Sequence, residues 1–580
     1  MKTWNRPYRN EANAQAPADL LITHCRLVNV LSGEIEEDTD IAICGSQIVG
    51  VGHGYHAQRT IDAAGRYVYP GLIDAHIHLE STKLTIPQAC RLMARFGTSA
   101  VITDPHEIGN VAALDGLAYQ MDSAADNGYI NVFFVAPSCV PTLTDMSIES
   151  APSALDPDKL RMIAEHEDVV GLGEVMNVPG ILMGIPEVIE KIEDYRSRGL
   201  VVDGHAPLVS GPALNACIYM GVQSDHESTH LEEAREKLRR GMFVMIREGS
   251  SEKNLDELIS LVNPHNARRL MFASDDLDPT DMIGRGHINH LVKRAVAAGV
   301  DPICALQMAT LNPATYFGIG DRLGAIFAGA QADIVIAPDL VEFSPDIVIH
   351  EGRVVFDGNL LPAGSPKNIH LRPTMNVRLP ALAELAVTGE PGRDARVIDL
   401  VPGQILTRQS FIAPLIADGL MLADPSRDIA KVCVFERHRG SGSFGIAFVR
   451  GFGIQKGAIG SSVGHDSHNM VVVGTNDADM MRCAEIIRDM GGGQAAVLGR
   501  ESRTLPLPVA GLMSDKPAEQ VIEDEVRLDE FCAKILGVTL SRPMAALSFM
   551  ALPVIPELRI TDQGLFHIAP GGYPQKVGIF

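Results

Sequence analysis

The 580-residue sequence predicts an α/β architecture: a (β/α)8 barrel that interrupts a small β unit and is followed by an α+β domain. Three observations predict it. Eight apolar, strand-like runs alternate with helical stretches over roughly 250 residues, the size and rhythm of such a barrel. Short strands broken by glycine flank this block on both sides and share one composition. Polar and charged residues gather just past the ends of the runs, the face on which these barrels carry chemistry.

Each element follows in chain order. Residues 1–18 form a polar extension without an apolar segment, so no signal peptide is expected. Runs at 20–22, 25–30, 41–44 and 47–51, punctuated by Gly33, Gly45 and Gly65, read as short strands. Residues 67–73 read as one buried strand that delivers His76 and His78. The run 97–103 ends at Asp104-Pro105-His106-Glu107, and another follows at 131–136. Residues 169–173 run into Glu174, 200–204 into His205, and 221–225 into His226. Runs at 242–247 and 270–274 complete the set, the last ending at Asp275-Asp276. Helical stretches such as 185–197 and 231–240 separate them. The barrel is therefore expected over 71–323. A doubly wound sheet is the structural alternative, but no glycine-rich phosphate loop follows the first strand. Short strands return after the barrel, so 19–70 and 324–362 are expected to pair into one composite β domain. A Pro-rich, polar linker is expected over 363–376, and an α+β domain over 377–580.

Hydrophobic residues at 46% and charged residues at 21% fit a globular protein with a generous core. The net charge of −23 argues against nucleic acid or an anionic membrane as partner, while leaving a small neutral or cationic substrate open. None of the nine cysteines stands in C-x-x-C spacing, which suits a reducing compartment and offers no thiolate zinc site. No window reaches the roughly 20 apolar residues a membrane helix needs. A cytoplasmic homo-oligomer, dimer or tetramer, is expected.

The chemistry begins with His76 and His78. Side chains two apart on an extended chain point to one side, so both imidazoles can face one ion. Alone, the pair has an ordinary alternative as strand-end histidines, and a carboxylate at such a place often caps a helix. His76, His78, Glu174, His205, His226 and Asp275, however, all fall at successive strand ends. Four imidazoles and two carboxylates make a nitrogen/oxygen set suited to Mn, Fe(II) or Zn. Two ions are expected: one on His76, His78 and Asp275, the other on His205 and His226, with Glu174 able to bridge. Such ions bring the pKa of water toward neutrality, and Asp275 is placed to accept its proton and pass it on.

The stretch 70–81, with Thr103-Asp104-Pro105-His106-Glu107-Ile108-Gly109-Asn110-Val111, resembles the bacterial adenine deaminase family of the amidohydrolase superfamily. Gly173-Glu174-Val175, Gly204-His205-Ala206-Pro207, Ser224-Asp225-His226-Glu227 and Ala273-Ser274-Asp275-Asp276 resemble its later strand ends. Gly286-His287-Ile288, Gly464-His465-Asp466-Ser467-His468-Asn469 and Gly491-Gly492-Gly493 extend the likeness over nearly the whole chain. The resemblance implies a distorted barrel of the amidohydrolase type, two divalent ions (Mn(II) or Fe(II)), a purine substrate, and hydrolysis of adenine to hypoxanthine and ammonia. Glu174 stands where a sister group would carry a bridging carboxylated lysine. Leu208 stands where mononuclear relatives carry the Glu of His-x-x-Glu, so the proton-carrying role is expected on Asp275 or Glu107. Asp104, His106 and Asp276 are candidate substrate contacts, and Glu227 a residue that orients a ligand imidazole. His465 and His468 reach the barrel mouth, hold a separate ion, or brace a glycine-rich turn. The alternative substrates are another aminopurine or a cyclic amide, and a partner-binding barrel without activity is the non-enzymatic reading.

Overall fold

The computed structural model describes residues 4–143, 145–152, 154–251, 253–362, 371–401, 406–569 and 572–580. Its centre is a ring of eight strands: β1 (Leu72–Ile77), β2 (Thr98–Thr103), β3 (Asn131–Pro137), β4 (Val169–Val175), β5 (Val201–Gly204), β6 (Ser224–Asp225), β7 (Phe243–Arg247) and β8 (Leu270–Ala273). β1 to β5 form one parallel sheet and β6 to β8 another. At one seam the Gln223 N–H donates to Val202 O at 2.9 Å. At the other, Ile77 bridges Asp275 in parallel, and the Asp275 N–H donates to His76 O at 2.9 Å. The sheet thereby curls on itself as a distorted barrel. Ile73, Ala75, Ala100, Ile102, Phe133, Val135, Met245 and Met271 fill its interior, which explains the near-continuous apolar runs.

Three elements differ from expectation. The runs 20–22 and 25–30 belong to a single strand, Ala18–Asn29, whose pairing shifts register around His24 (φ 53°) rather than breaking. The run 67–73 is two strands, not one. Tyr67–Pro70 pairs antiparallel with Ile334–Ala337, whereas Leu72–Ile77 enters the barrel and carries His76 within it. The break falls at Gly71, where a Cβ would lie 2.2 Å from Ser99 Oγ, so only glycine lets the chain pass from one sheet to the next. The sixth strand is only Ser224–Asp225 because Gly221 (φ 115°) caps the preceding helix Gly211–Met220 and spends 221–223 on the turn.

Strands from both flanks of the barrel share one mixed sheet. Ala18–Asn29 pairs with Glu34–Cys44, Ala57–Asp62 and Tyr67–Pro70, and Ile334–Ala337 continues it toward Ile347–His350 and Arg353–Phe356. Of the expected linker, 363–370 lie outside the described residues, and 371–376 have no regular structure. Beyond it, an eight-stranded sheet carries the helix Asp477–Asp489 on one side. Helix Ala518–Phe531 docks this part on the barrel. Lys83 Nζ sits between Asp278 and Glu525, 2.7 Å from the latter, and the Ser514 N–H donates to Lys83 O at 2.8 Å. Among the described residues no helix is long and apolar enough to cross a membrane.

Candidate metal centre

The strand period aims both first histidines at one point: His76 Nε2 and His78 Nε2 lie 3.2 Å apart. His78 Nδ1 is 2.9 Å from Asp104 O, an acceptor only, so Nδ1 carries a proton and Nε2 faces inward. His76 is buried, and burial followed by the neighbouring His226 and His78 holds its pKa well below the ordinary imidazole value. A neutral ring is the form that ligates.

Glu174, at the end of β4, joins two groups of donors. Its Oε1 lies 3.6 Å from His78 Nε2. Its Oε2 lies 2.6 Å from His205 Nδ1 and 2.9 Å from His226 Nε2. Burial alone would raise this carboxyl, yet His205 and His226 outweigh it and hold the group well below its usual value. The ring of His226 stacks on His76 at 4.1 Å between centroids. Asp275 closes the set, with Oδ1 3.1 Å from His78 Nε2 and 3.6 Å from His76 Nε2. Its φ of 58° turns the chain sharply after β8, a conformation Asp tolerates better than most residues. Against burial, the Arg247 guanidinium and His78 keep Asp275 well below the carboxylate range.

The structure thus brings all six expected ligands together. Donor atoms of His76, His78 and Glu174 lie within 4.8 Å of one another, as do those of Glu174, His205 and His226, and those of His76, His226 and Asp275. His226 Nε2 is buried without a hydrogen bond of good geometry, although four polar side chains surround it. Such convergence of nitrogen and carboxylate donors, with no sulfur, fits a pair of divalent cations.

A second cluster adjoins the first. Asp104, wholly buried, accepts from the His106 N–H at 3.1 Å and lies 3.6 Å from His106 Nδ1. His106 Nε2 is 3.3 Å from Glu107 Oε1, and His106 Nδ1 is 3.8 Å from Glu174 Oε1. Glu107 is also 2.8 Å from His465 Nδ1 and paired with His468 Nε2. Burial would push Glu107 up, but His465, His468 and His106 together hold it well below its ordinary value. The glycine-rich turn of the C-terminal part therefore reaches the barrel mouth. Asp276 accepts from Ser81 Oγ and is raised by burial and by adjacent Asp275.

Two cations that sequence reasoning passed over organise this site. Arg247, at the end of β7, pairs with both Glu227 and Asp275 while nearly fully buried. Lys237 has no exposed side-chain surface. Its three hydrogens are shared among four acceptors, with Nζ 2.7 Å from Ala206 O, 2.9 Å from Asp225 Oδ2, 3.1 Å from Ser228 Oγ and 2.8 Å from Glu233 Oε1. One ammonium thereby ties the loop after β5, with His205, to the loop after β6, with His226. Glu80 was also overlooked: its Oε2 is buried without a partner, and burial lifts its pKa to about 7. His287, in one of the motifs that resemble the family, is buried just before the helix Ile288–Ala297, 2.7 Å from Thr98 Oγ1 and 2.9 Å from Asp74 Oδ2. It braces β1 from below.

Residues 67–360 match the family model described as the amidohydrolase family, and residues 404–570 match the adenine deaminase C-terminal domain. An adenine deaminase of Desulfatibacillum aliphaticivorans is 45% identical over 562 residues, covering 96% of this chain and 97% of that protein. One from Dehalococcoides mccartyi is 43% identical over 562 residues, 96% of each chain. One from Methanothrix thermoacetophila is 41% identical over 563 residues, 97% of each. With both its barrel region and its C-terminal part matched by family models, and relatives 41–45% identical over nearly all of its length, this chain belongs to the adenine deaminase branch of the amidohydrolase family.

Proposed function

We propose that the chain hydrolyses adenine to hypoxanthine and ammonia at a centre of two divalent ions, Mn(II) or Fe(II). The observation that carries this reading is the placement of Glu174, whose two oxygens face His78 on one side and His205 with His226 on the other. His76, His78 and Asp275 would hold one ion and His205 and His226 the other, with Glu174 shared. When bound, such ions bring the pKa of water toward neutrality and supply a nucleophile at pH 7.

The remaining work falls to side chains. Asp275, kept charged by Arg247, takes one proton from the water that attacks the amine-bearing carbon and gives it to the exocyclic nitrogen, which leaves as ammonia. The second proton of that water ends on the adjacent ring nitrogen of the 6-oxo product, by way of His106 and Glu107. Asp104 holds the His106 backbone N–H and places a carboxylate beside its ring, and Asp276, steadied by Ser81, faces the substrate. In this reading residues 71–323 carry the chemistry, and 377–580 cover its mouth. The protein is then a cytoplasmic homo-oligomer, dimer or tetramer, that takes a neutral purine and no nucleic acid, in keeping with its net charge of −23.

Ammonia released from adenine by the Mn(II)-loaded protein tests the assignment, with adenosine and cytosine in parallel. Release from another amine but not from adenine would move the substrate and leave the fold untouched. Glu107→Gln removes a proton carrier while preserving shape. Turnover should fall about 100-fold with metal content unchanged, and wild-type turnover in that variant would take Glu107 out of the mechanism.

A further inference from the structure

A cavity lies where the barrel mouth meets the C-terminal part. Glu80, Ser81 and Asp276 line it from the barrel, and Val463, His465, Gln494 and Phe549 from the other side. The outer wall suits a flat ring: Phe549 stacks on His465 at 4.6 Å and 18°, and Val463 adds an apolar surface.

The polar groups around the cavity are mostly engaged. Ser81 and Asp276 bond each other, Lys83 lies between Asp278 and Glu525, and Glu80 and Glu525 each hold one oxygen in a hydrogen bond while the other is buried without a partner. Gln494 differs. It is 3% exposed, its backbone is fixed in the pairing of Gly493–Leu498 with Ala458–Ser461 and Glu501–Pro506, and its carboxamide makes no hydrogen bond among the described residues. The glycines before it account for its placement. Gly492 passes so close to Gly511 that a Cβ would lie 2.4 Å from its Cα, and a Cβ on Gly493 would lie 2.2 Å from Leu505 O. Both have positive φ. Only glycine brings the strand this near and lets its first side chain enter the cavity. The carboxamide thus lines the cavity with a donor and an acceptor to offer whatever fills it.

We infer that Gln494 is a substrate-binding residue that reads the edge of the free purine formed by N3 and N9–H. This rests on the adenine reading above. With the amine-bearing carbon turned to the ligand cluster, N3 and N9 point away from it, toward the C-terminal wall. They offer an acceptor beside a donor, and a carboxamide offers the complementary donor beside an acceptor. A substituent on N9 removes the donor and fills the space. The C-terminal part thus sets the preference for the free base over N9-substituted purines, while the barrel supplies the chemistry.

Kinetics of the Mn(II)-loaded full chain with adenine and 9-methyladenine test this. The wild type should prefer adenine strongly. Gln494→Leu should raise KM for adenine about 10- to 100-fold and narrow the adenine/9-methyladenine ratio of kcat/KM by a similar factor, with metal content unchanged. Gln494→Glu, which keeps an acceptor for N9–H but loses the donor to N3, should fall between. Thermal melting of each variant separates binding from folding, and should either variant melt early, the wild-type ratio still decides. A wild type that deaminates both bases equally, or a folded Gln494→Leu with unchanged KM and ratio, overturns the role of Gln494. A wild type that deaminates neither overturns instead the adenine reading.

Discussion

Replacing Asp275 by Asn should lower kcat for adenine by about 100- to 10,000-fold at saturating Mn(II), the range that removal of a general acid–base group produces. Asn keeps the shape and one oxygen for ligation but cannot accept a proton. Arg247 retains Glu227 as its partner, so the fold should survive the change. Saturating metal matters because Asp275 also stands among the ligands. A loss that vanishes as Mn(II) is raised would assign the residue to ligation alone. Retention of kcat within tenfold would remove Asp275 as proton carrier.

Lys237→Met should cost about 3–5 kcal/mol of stability, because it strips the cation from buried carboxylates while filling the same volume. Burial would raise Asp225, but Lys237 holds it down at about 2, below the unfolded Asp value near 3.9. The stabilisation from that depressed carboxyl is therefore complete above about pH 4 and is lost as pH falls through about 2. Without Lys237 the depression disappears, and with it this contribution at neutral pH. Denaturant titration of the wild type and Lys237→Met at pH 7 gives the difference directly. Combining Lys237→Met with Asp225→Asn and Glu233→Gln should restore part of the loss. A Lys237→Met protein as stable as the wild type would show that this clamp does not hold the two ligand loops.

The six candidate ligands that the structure brings together were readable in the sequence because each sits at the end of an apolar run. A strand ends where its side chains meet solvent or a site, and the period of two placed His76 and His78 on one side. Glu174, His205, His226 and Asp275 needed only the position of the run before them. Lys237 gave no such signal. It lies in Leu231–Arg240, a helix dense in charge, where local pattern cannot distinguish a solvated lysine from one drawn under a loop by Asp225. Arg247 ends β7 as an ordinary strand residue, and its pairing with Asp275 depends on how β7 and β8 sit in the ring. The contact of Glu107 with His465 and His468 joins residues more than 350 apart, so the motifs could be seen but not their meeting. Gly71 divides what reads as one apolar run into two strands because Ser99 crowds it, a contact from elsewhere in the chain.

A centre of two ions that turns over adenine is tested most directly by titration of metal-free protein with Mn(II) while following ammonia release from adenine. Activity should rise to a plateau at two equivalents per chain. A plateau at one equivalent, or no ammonia at any loading, would contradict it.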